Sequence, residues 1–519
     1  MKDRAHWLGL ALAGSLLLPG CGNKPAEPPK GAEKGKDAKS PDAKTPDAKS
    51  PDAKTPDAKT PDTNTPDGAG DPAALAFRNA ATDPPPDWKG PTFALSKDYP
   101  AEPPAPCAKE VCTWLGIDVD FGSPDAPAKW TEGKWADYIE AIKAYAAQGQ
   151  DPQLANEVGI RVEVDGQTRW YHVPWMAYDP KVGRDFVHGT TNERTASFED
   201  LMGGAAGSAV HDELLEGKCQ DEWKTGFETW AVGVYNEYGG YAVGQAIPAS
   251  GIPQAAEYEG RKVAAGTPMA EGTAVVKYLF TDAPPDCVPF LQGSPEWQVD
   301  RHVRTDAGQY LCERKVQTVR LLQVDVAVVD ARSPTRWVYG TFSYDGNQKG
   351  DTVWERLVPV GVMWGSDPTS FPAVPKEASK PIHETVLNPG MDIYEHYGCT
   401  ALPDDPDELA GHRLNGPVDN PVSACMACHG AAFAPGEIGA TLQDGVNVPT
   451  PWGSADLCNA TDPAASAAYF ANYPFPQPYP GGKFDAALPL DTSLQLQVAY
   501  GQYGQWKTAG APVSCTDPS

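Results

Sequence analysis

The spacing of hydrophobic and polar positions changes along the chain. Between 130 and 148, apolar side chains recur at intervals of three and four, which predicts an amphipathic helix. These side chains are Trp135, Tyr138, Ile139, Ile142 and Tyr145. Between 316 and 330 the interval is two, with valines on one face and Asp325 and Ala327 on the other. This alternation predicts a half-buried strand.

Further β-branched and aromatic stretches lie at 159–175, 229–247, 273–280 and 335–346. Segments rich in Pro, Gly and Asp separate them, and the pairs Asp165-Gly166 and Gly239-Gly240 are predicted to be turns. We therefore expect residues 71–387 to be mainly β, as a sandwich or barrel-like region with a few helices.

The strand patterns fade after 388. The segment SACMACHG at 423–430 is predicted to form a short helical turn after a loop. The segment 491–507 has both helical and alternating spacings, but Ser493 is a suitable N-cap and favours a helix. The overall class is therefore α+β, with a mainly-β region followed by a small, mostly helical and loop domain at 388–519.

The N-terminus has the pattern of an export signal. Lys2 and Arg4 precede an apolar run at 7–18 that is too short to span a membrane. The run ends in Leu18-Pro19-Gly20-Cys21, which resembles the bacterial lipoprotein box and implies a signal peptide at 1–20 and lipidation of Cys21. The alternative is an ordinary secretory signal with a chance cysteine. In both cases the mature chain leaves the cytoplasm, and we expect a lipoprotein of the cell envelope, either in the periplasm or on the surface.

Residues 21–70 are expected to be a disordered tether. From Ser40 a unit [ST]-P-D-A-K repeats four times and then decays. The tether lacks aromatic residues and has almost no large aliphatic ones, so it cannot bury enough apolar surface to offset the entropy of ordering. Proline in every unit makes it a semi-stiff spacer between a membrane anchor and the folded part.

Charge and cysteine content limit the possible functions. The net charge is −27 and basic residues form no stripe, which disfavours nucleic acid as a partner. Setting aside Cys21, Cys425 and Cys428, eight of the eleven cysteines remain, an even number that suits disulfides in an oxidising compartment. Cys107 and Cys112 are close enough for a local disulfide, and at least one of three later cysteines is expected to pair near the C-terminal motif. Those three are Cys399, Cys458 and Cys515.

Cys425, Cys428 and His429 have the spacing C-x-x-C-H. This spacing suits two thioether bonds to one haem c, with the histidine as the proximal iron ligand. Half a zinc site and a redox disulfide are the alternatives. No second Cys or His pair follows for zinc, and no thioredoxin-like pattern surrounds the cysteines.

A sixth iron ligand from the protein must lie upstream, because the sequence contains no His or Met after His429. His412 is the first candidate and Met391 the second, followed by His383, His396, Met363 and the histidines of the β-rich region. Water, an open position or an unusual ligand remain as alternatives. A six-coordinate iron would indicate electron transfer with a redox partner that the sequence does not identify. An open iron would indicate an enzyme, peroxidase-like or oxidising a small molecule.

A third possibility is a surface binding module with an accessory haem. It would use aromatic side chains of the β-rich region, although such residues more often belong to a core. They are Trp170, Trp175, Trp230, Trp337, Trp354 and Trp364.

Several stretches resemble a group of functionally unassigned bacterial haem c lipoproteins. They are RLNGPVDNPVSACMACHG at 413–430 and the segments HVPWMAYDP, FVHGTTNERTA, TWAVGVYN and LVPVGVMWGSDP. This resemblance implies a shared architecture but no activity. Apart from this resemblance, Arg413 is a candidate partner for a haem propionate, because a guanidinium matches carboxylate geometry, with a surface arginine as the alternative.

A shorter resemblance concerns EGTAVVKYLF at 271–280, followed by a C-terminal C-x-x-C-H. It is similar to β-rich cytochromes that oxidise hydroxylamine, in which a lysine is cross-linked to the haem. Lys277 occupies the corresponding position. It lies farther from the motif along the chain than in that family.

Overall fold

The structure is a computed structural model. It describes residues 96, 98–122, 130, 133–149, 163–164, 167–174, 191–202, 217, 219–304, 310–368, 382–388, 390, 413–420, 423–441, 448–449, 451, 463–479, 482 and 484–509. The predicted signal peptide, Cys21 and the predicted tether lie outside these residues. So do His396 and both leading candidates for the sixth ligand, His412 and Met391.

Helices and strands alternate in the first half of the described chain, and helices are more frequent towards its end. The helices are α1 (Trp135–Ala146), α2 (Phe198–Met202), α3 (Gln220–Thr225), α4 (Glu237–Ala246), α5 (Cys425–Gly430), α6 (Pro463–Tyr469) and α7 (Leu494–Ala509). The strands are β1 (Glu163–Val164), β2 (Gln167–Thr168), β3 (Tyr171–His172), β4 (Thr191–Ala196), β5 (Phe227–Tyr235), β6 (Ala255–Tyr258), β7 (Arg261–Ala264), β8 (Ala274–Thr281), β9 (Glu296–Arg304), β10 (Tyr310–Val329), β11 (Trp337–Tyr344), β12 (Leu357–Met363), β13 (Thr385–Leu387), β14 (Phe433–Ala434) and β15 (Leu488–Pro489).

Nine strands form one antiparallel sheet. Its order is β13-β12-β11-β10-β8-β5-β3, with β4 also paired to β5 and β9 to β10. The 20-residue strand β10 organises the sheet, because its first half pairs with β9 and its second half lies between β8 and β11. The α+β, mainly-β class predicted from the sequence is therefore confirmed.

The two faces of the sheet carry different partners. Val324, Val326 and Val328 are buried on one face, as the alternation predicts. A Cβ added to Gly340 on that face would meet both Val326 and Ile139 of α1, so α1 covers it. The opposite face, which carries Asp325, turns towards the C-terminal segment.

Helix α1 forms where the apolar spacing predicts it. All five of its periodic apolar residues are buried, with exposures of 2% or less, which is the pattern of a helix packed by one face. Trp135 stacks on Trp364 with ring centroids 4.3 Å apart and an interplanar angle of 4°. The helix is thereby fixed to the sheet.

The prediction of a turn at Gly239-Gly240 is wrong. These glycines lie inside α4, where Asn236 is the N-cap and its side chain accepts from the Gly239 N–H. A Cβ at Gly239 would approach Tyr235 to 2.5 Å, and one at Gly240 would approach Tyr171 to 2.5 Å. The glycines are therefore required for close packing of the helix and not for a turn.

The C-terminal elements match the sequence predictions and pack on the sheet. The motif segment forms α5, and Ser493 caps α7 by accepting from the Leu496 N–H at 3.1 Å. Buried residues of this segment belong to the same hydrophobic cluster as the buried residues of β10 and β11. Examples are Leu414, Met426, Leu496 and Tyr500.

Disulfides fasten two other parts of the fold. The predicted pair Cys107–Cys112 is present, and Cys219 is bonded to Cys287. Cys312 is also disulfide-bonded. The three later cysteines named above lie outside the described residues.

The aromatic residues of the β-rich region form its core. Five of the six tryptophans considered as a binding platform are buried, and Trp175 lies outside the described residues. In the part of the chain that the structure describes, no helix is both long and apolar enough to cross a bilayer.

Candidate functional site

The C-x-x-C-H motif presents its three functional side chains on one face of α5. Cys425, Cys428 and His429 are partly exposed, whereas Met426 and Ala427 are buried. Positions i, i+3 and i+4 share a helix face, so the motif spacing produces this division. Extended backbone at Ala424 starts the helix after the loop.

Both motif cysteines are free thiols and not partners in a disulfide. Burial raises the pKa of Cys428 to about 12, with Asp419 adding to the effect. Burial also raises the pKa of Cys425 well above its ordinary value, while a hydrogen bond with Thr341 opposes the shift. The redox-disulfide alternative therefore gains no support from the arrangement of these thiols.

The ring of His429 is oriented by a backbone carbonyl. Its Nδ1 lies 2.9 Å from the Thr492 carbonyl oxygen, which can only accept, so Nδ1 carries the proton. Burial lowers the pKa of His429 to about 4, Lys277 contributes in the same direction, and the Thr492 carbonyl opposes it. The imidazole is therefore neutral near pH 7, with Nε2 free to bind a metal.

Alternate residues of β11 hold the parts of this site together. Tyr339 packs its ring 4.7 Å from the His429 ring and donates its hydroxyl to Thr492 Oγ1 at 2.7 Å. Two residues further along β11, Thr341 donates to Asp325 Oδ1 at 2.9 Å and hydrogen-bonds with Cys425. Successive side chains at this spacing lie on the same sheet face. That face therefore supports both the histidine and a motif cysteine.

A polar row crosses the sheet at the level of the motif. Strand register aligns Lys277 with Asp325, and Asp325 with Thr341. Glycines end the row on both sides, Gly233 next to Lys277 and Gly361 next to Thr341. A Cβ at Gly233 would lie 2.0 Å from Gln495 Nε2 of α7, so that glycine admits the C-terminal helix.

Charged groups concentrate around this row. Gln323 Nε2 donates to Asp325 Oδ1 at 2.8 Å and to Asp419 Oδ2 at 3.2 Å, which links the two carboxyls. The Lys277 ammonium lies 3.7 Å from Glu193 and interacts electrostatically with both carboxyls and with Cys428. The structure therefore places Lys277 beside the motif, although the two are far apart along the chain.

Burial and mutual repulsion shift the pKa values of these groups. Burial raises the pKa of Asp325 to about 7, with Asp419 adding and Lys277 opposing. Burial also raises the pKa of Asp419. For Lys277, burial lowers the pKa, but Glu193 and the two aspartates outweigh it and raise the value overall.

The motif side chains and Lys277 lie where the C-terminal segment packs against the sheet. Their side chains are partly accessible, yet burial makes the largest contribution to their pKa shifts. Two free thiols and a neutral imidazole with a free Nε2 on one face fit the requirements of a covalently attached haem. In the described ranges, no group of three or more His, Cys, Asp and Glu side chains is arranged to hold a bare metal ion.

Met363 and His383, two of the upstream candidates for the sixth ligand, lie among the described residues, and both have other contacts. Met363 Sδ accepts from the backbone N–H of Met426 at 3.3 Å, on the buried side of α5. His383 Nδ1 lies 3.2 Å from Asp367 Oδ1.

The interpretation of Arg413 as a surface arginine is wrong. Its side chain is fully buried, donating from Nε to the Ser366 carbonyl at 2.8 Å and from a terminal nitrogen to the Asp367 carbonyl at 3.0 Å. Its guanidinium also lies 4.2 Å from the centre of the Phe470 ring. These contacts fasten the C-terminal segment to 366–367, and they give no support to the propionate role.

Sequence reasoning missed several residues of this site. Tyr339, Thr492 and Asp419 carry no motif, and only the strand register and the chain path bring them together. Asp325 did carry a signal, because an acidic residue alternating with buried valines in a strand must find a partner. Comparison with protein-family models, curated proteins and solved structures found no match to this chain.

The raised pKa of Asp325 predicts a pH-dependent stability. An unfolded aspartate titrates near pH 3.9. The folded protein therefore holds this proton more tightly, and the associated stabilisation is lost as the pH rises from about 4 through 7. Asp325→Asn keeps an oxygen acceptor for Gln323 and Thr341 but cannot ionise. From pH 4 to pH 7 it should gain about 2 kcal/mol relative to wild type in urea unfolding.

Asp221→Asn is the control, because this exposed carboxyl has a pKa that is lowered by Lys224. Its stability relative to wild type should not rise over the same pH range. If the difference between Asp325→Asn and wild type were constant with pH, the assignment of a buried, protonated Asp325 would be wrong.

Proposed function

We propose that the protein is a lipid-anchored, monohaem c-type cytochrome that acts in electron transfer outside the cytoplasm. The observation that carries this proposal is the shared face of α5, which presents two free thiols and a neutral imidazole. A haem held there would supply one-electron redox chemistry. Cys425 and Cys428 would hold it, and His429 Nε2 would bind its iron.

The chain's own residues account for the orientation of this site. Thr492 keeps the His429 proton on Nδ1, and Tyr339 restricts the ring from the sheet side. The C-terminal segment supplies the motif, and β8, β10 and β11 supply the facing wall. We therefore propose that 388–519 is a small cytochrome c-like domain that completes its haem site with the sheet.

A specific observation favours a second candidate, a haem enzyme with an open iron position. Lys277, Asp325 and Asp419 lie at the edge of the motif, and Lys277 acts electrostatically on both Cys428 and His429. Ionisable groups of this kind can hold and move protons for a reacting molecule. Lys277 is also the residue that carries the resemblance to the hydroxylamine-oxidising cytochromes. The binding-module candidate has no comparable support, because the described tryptophans belong to the core.

The attachment of haem can be tested in denatured protein. After expression with a c-type maturation system, wild-type protein should keep its haem on denaturation and give a pyridine haemochrome spectrum. Cys425→Ala combined with Cys428→Ala should lose the colour completely, because both thioether bonds are removed. Cys107→Ala combined with Cys112→Ala removes a disulfide elsewhere and should keep covalent haem. A colourless wild-type chain would refute the proposal.

The lipid anchor makes a separate prediction. Cys21→Ser should move the protein from the membrane fraction to the soluble fraction, because the acylated thiol is lost, and its absorption spectrum should stay unchanged. Fractionation followed by immunoblotting measures this. Tight membrane association that persists in Cys21→Ser would show that the lipoprotein interpretation is wrong.

The spin state of the reduced iron distinguishes the two functions. If His412 is the sixth ligand, reduced wild-type protein should be low-spin and bind carbon monoxide slowly. His412→Ala should then become high-spin and bind carbon monoxide readily. Met391→Ala and His383→Ala are matched controls and should leave the spectrum unchanged; His383 already pairs with Asp367. Absorption spectroscopy with rapid mixing measures both properties.

Two other results of the spin-state experiment would change the assignment of the ligand or of the function. A wild-type protein that is already high-spin would favour the enzyme over the electron carrier. A low-spin spectrum that persists in His412→Ala would eliminate this residue as the ligand, and Met391→Ala would then be the variant expected to change.

A further inference from the structure

Two consecutive residues before α7 have backbone conformations that L-amino acids rarely adopt. Asp491 has a φ of 47° and Thr492 a φ of 66°, both in the left-handed region. Such conformations are strained and persist only where the surroundings hold them. The Thr492 carbonyl that accepts from His429 Nδ1 belongs to this strained turn. The direction of that carbonyl therefore depends on whatever holds the turn.

The Asp491 carboxylate holds the turn from both of its oxygens. It is 3% exposed. Oδ1 accepts from Trp337 Nε1 at 3.0 Å and lies 3.6 Å from an Arg336 guanidinium nitrogen. Oδ2 accepts from the Met269 backbone N–H at 2.6 Å. These contacts come from β11, from the residue before it and from the segment before β8, so the carboxylate is fixed by two separate parts of the sheet region.

Burial makes the ionised form of the Asp491 carboxyl costly. Burial raises the pKa of Asp491, while Arg336, Trp337 and the Met269 N–H oppose the shift. A charged group in such a position is retained only when its partners are in place, and removing one partner strongly destabilises the rest. The carboxylate therefore acts as a rigid support and not as a surface charge.

We propose that Asp491 is a positioning residue that sets the hydrogen bond from His429 to the Thr492 carbonyl and thereby tunes the reduction potential of the haem iron. This inference rests on the proposed haem attachment. A carbonyl that accepts from Nδ1–H makes the imidazole a more basic ligand. A more basic ligand favours the oxidised iron and lowers the potential. Loosening the turn should therefore raise it.

The test compares reduction potentials of haem-loaded variants. Asp491→Asn removes the charge that holds Arg336 and turns one acceptor oxygen into a donor. We expect its oxidised-to-reduced equilibrium to shift about tenfold towards the reduced form, a rise of about 59 mV for a one-electron couple. Asp345→Asn is the matched control, because Asp345 is a buried carboxylate that also accepts from a backbone N–H in a turn, that of Asn347, but it has no contact with the motif. Its potential should match wild type.

Covalent haem is measured first in every protein by the pyridine haemochrome spectrum. Without covalent haem in wild type, the proposed function itself fails. With haem present, an unchanged potential in Asp491→Asn overturns the positioning role, as does an equal rise in Asp345→Asn. If Asp491→Asn does not fold, Trp337→Phe replaces it, since this change removes one donor to Asp491 and keeps an aromatic ring near Tyr339. A folded, haem-loaded Trp337→Phe with a wild-type potential also overturns the inference.

Discussion

The site depends on one face of strand β11. Trp337, Tyr339 and Thr341 alternate along it, and each contacts a different part of the C-terminal segment. The strand period of two places three side chains in a row about 7 Å apart. At that spacing the three side chains contact the turn before α7, the motif histidine and a motif cysteine. Strand β11 is itself held between β10 and β12, so the support is rigid.

The two sides of the motif have different electrostatic character. Around His429 the neighbours are neutral: the Tyr339 ring on β11 and the Thr492 carbonyl in the turn before α7, which accepts a hydrogen bond from Nδ1. Around Cys428 the neighbours on β8 and in the loop before α5 are ionisable, Lys277 and Asp419. The neutral side keeps the imidazole uncharged, with its proton on Nδ1, and therefore suited to metal binding. The charged side provides groups that can exchange protons.

Sequence patterns predicted most of the elements that position the site but few of its contacts. The faces of β10, the helix at α1 and the Ser493 cap follow from spacing within a single segment. The alignment of Lys277 with Asp325 depends on the register of two strands, which no local pattern encodes. The glycine pair in α4 was wrongly predicted to be a turn. These glycines are explained by close tertiary contacts with tyrosines, which a local sequence pattern does not encode either.

Burying the charged groups of Lys277, Asp325 and Asp419 costs free energy, and packing alone does not explain why they are kept. Replacing a buried ion pair by apolar residues of similar volume is often neutral or stabilising, so buried charges contribute little to stability. Here two aspartates share one amide and one lysine, and mutual repulsion adds to the cost of burial. The cluster also lies beside the C-x-x-C-H motif. If haem is attached at the motif as proposed, a role of this cluster in handling protons accounts for both its cost and its position, whereas a purely structural role accounts for neither.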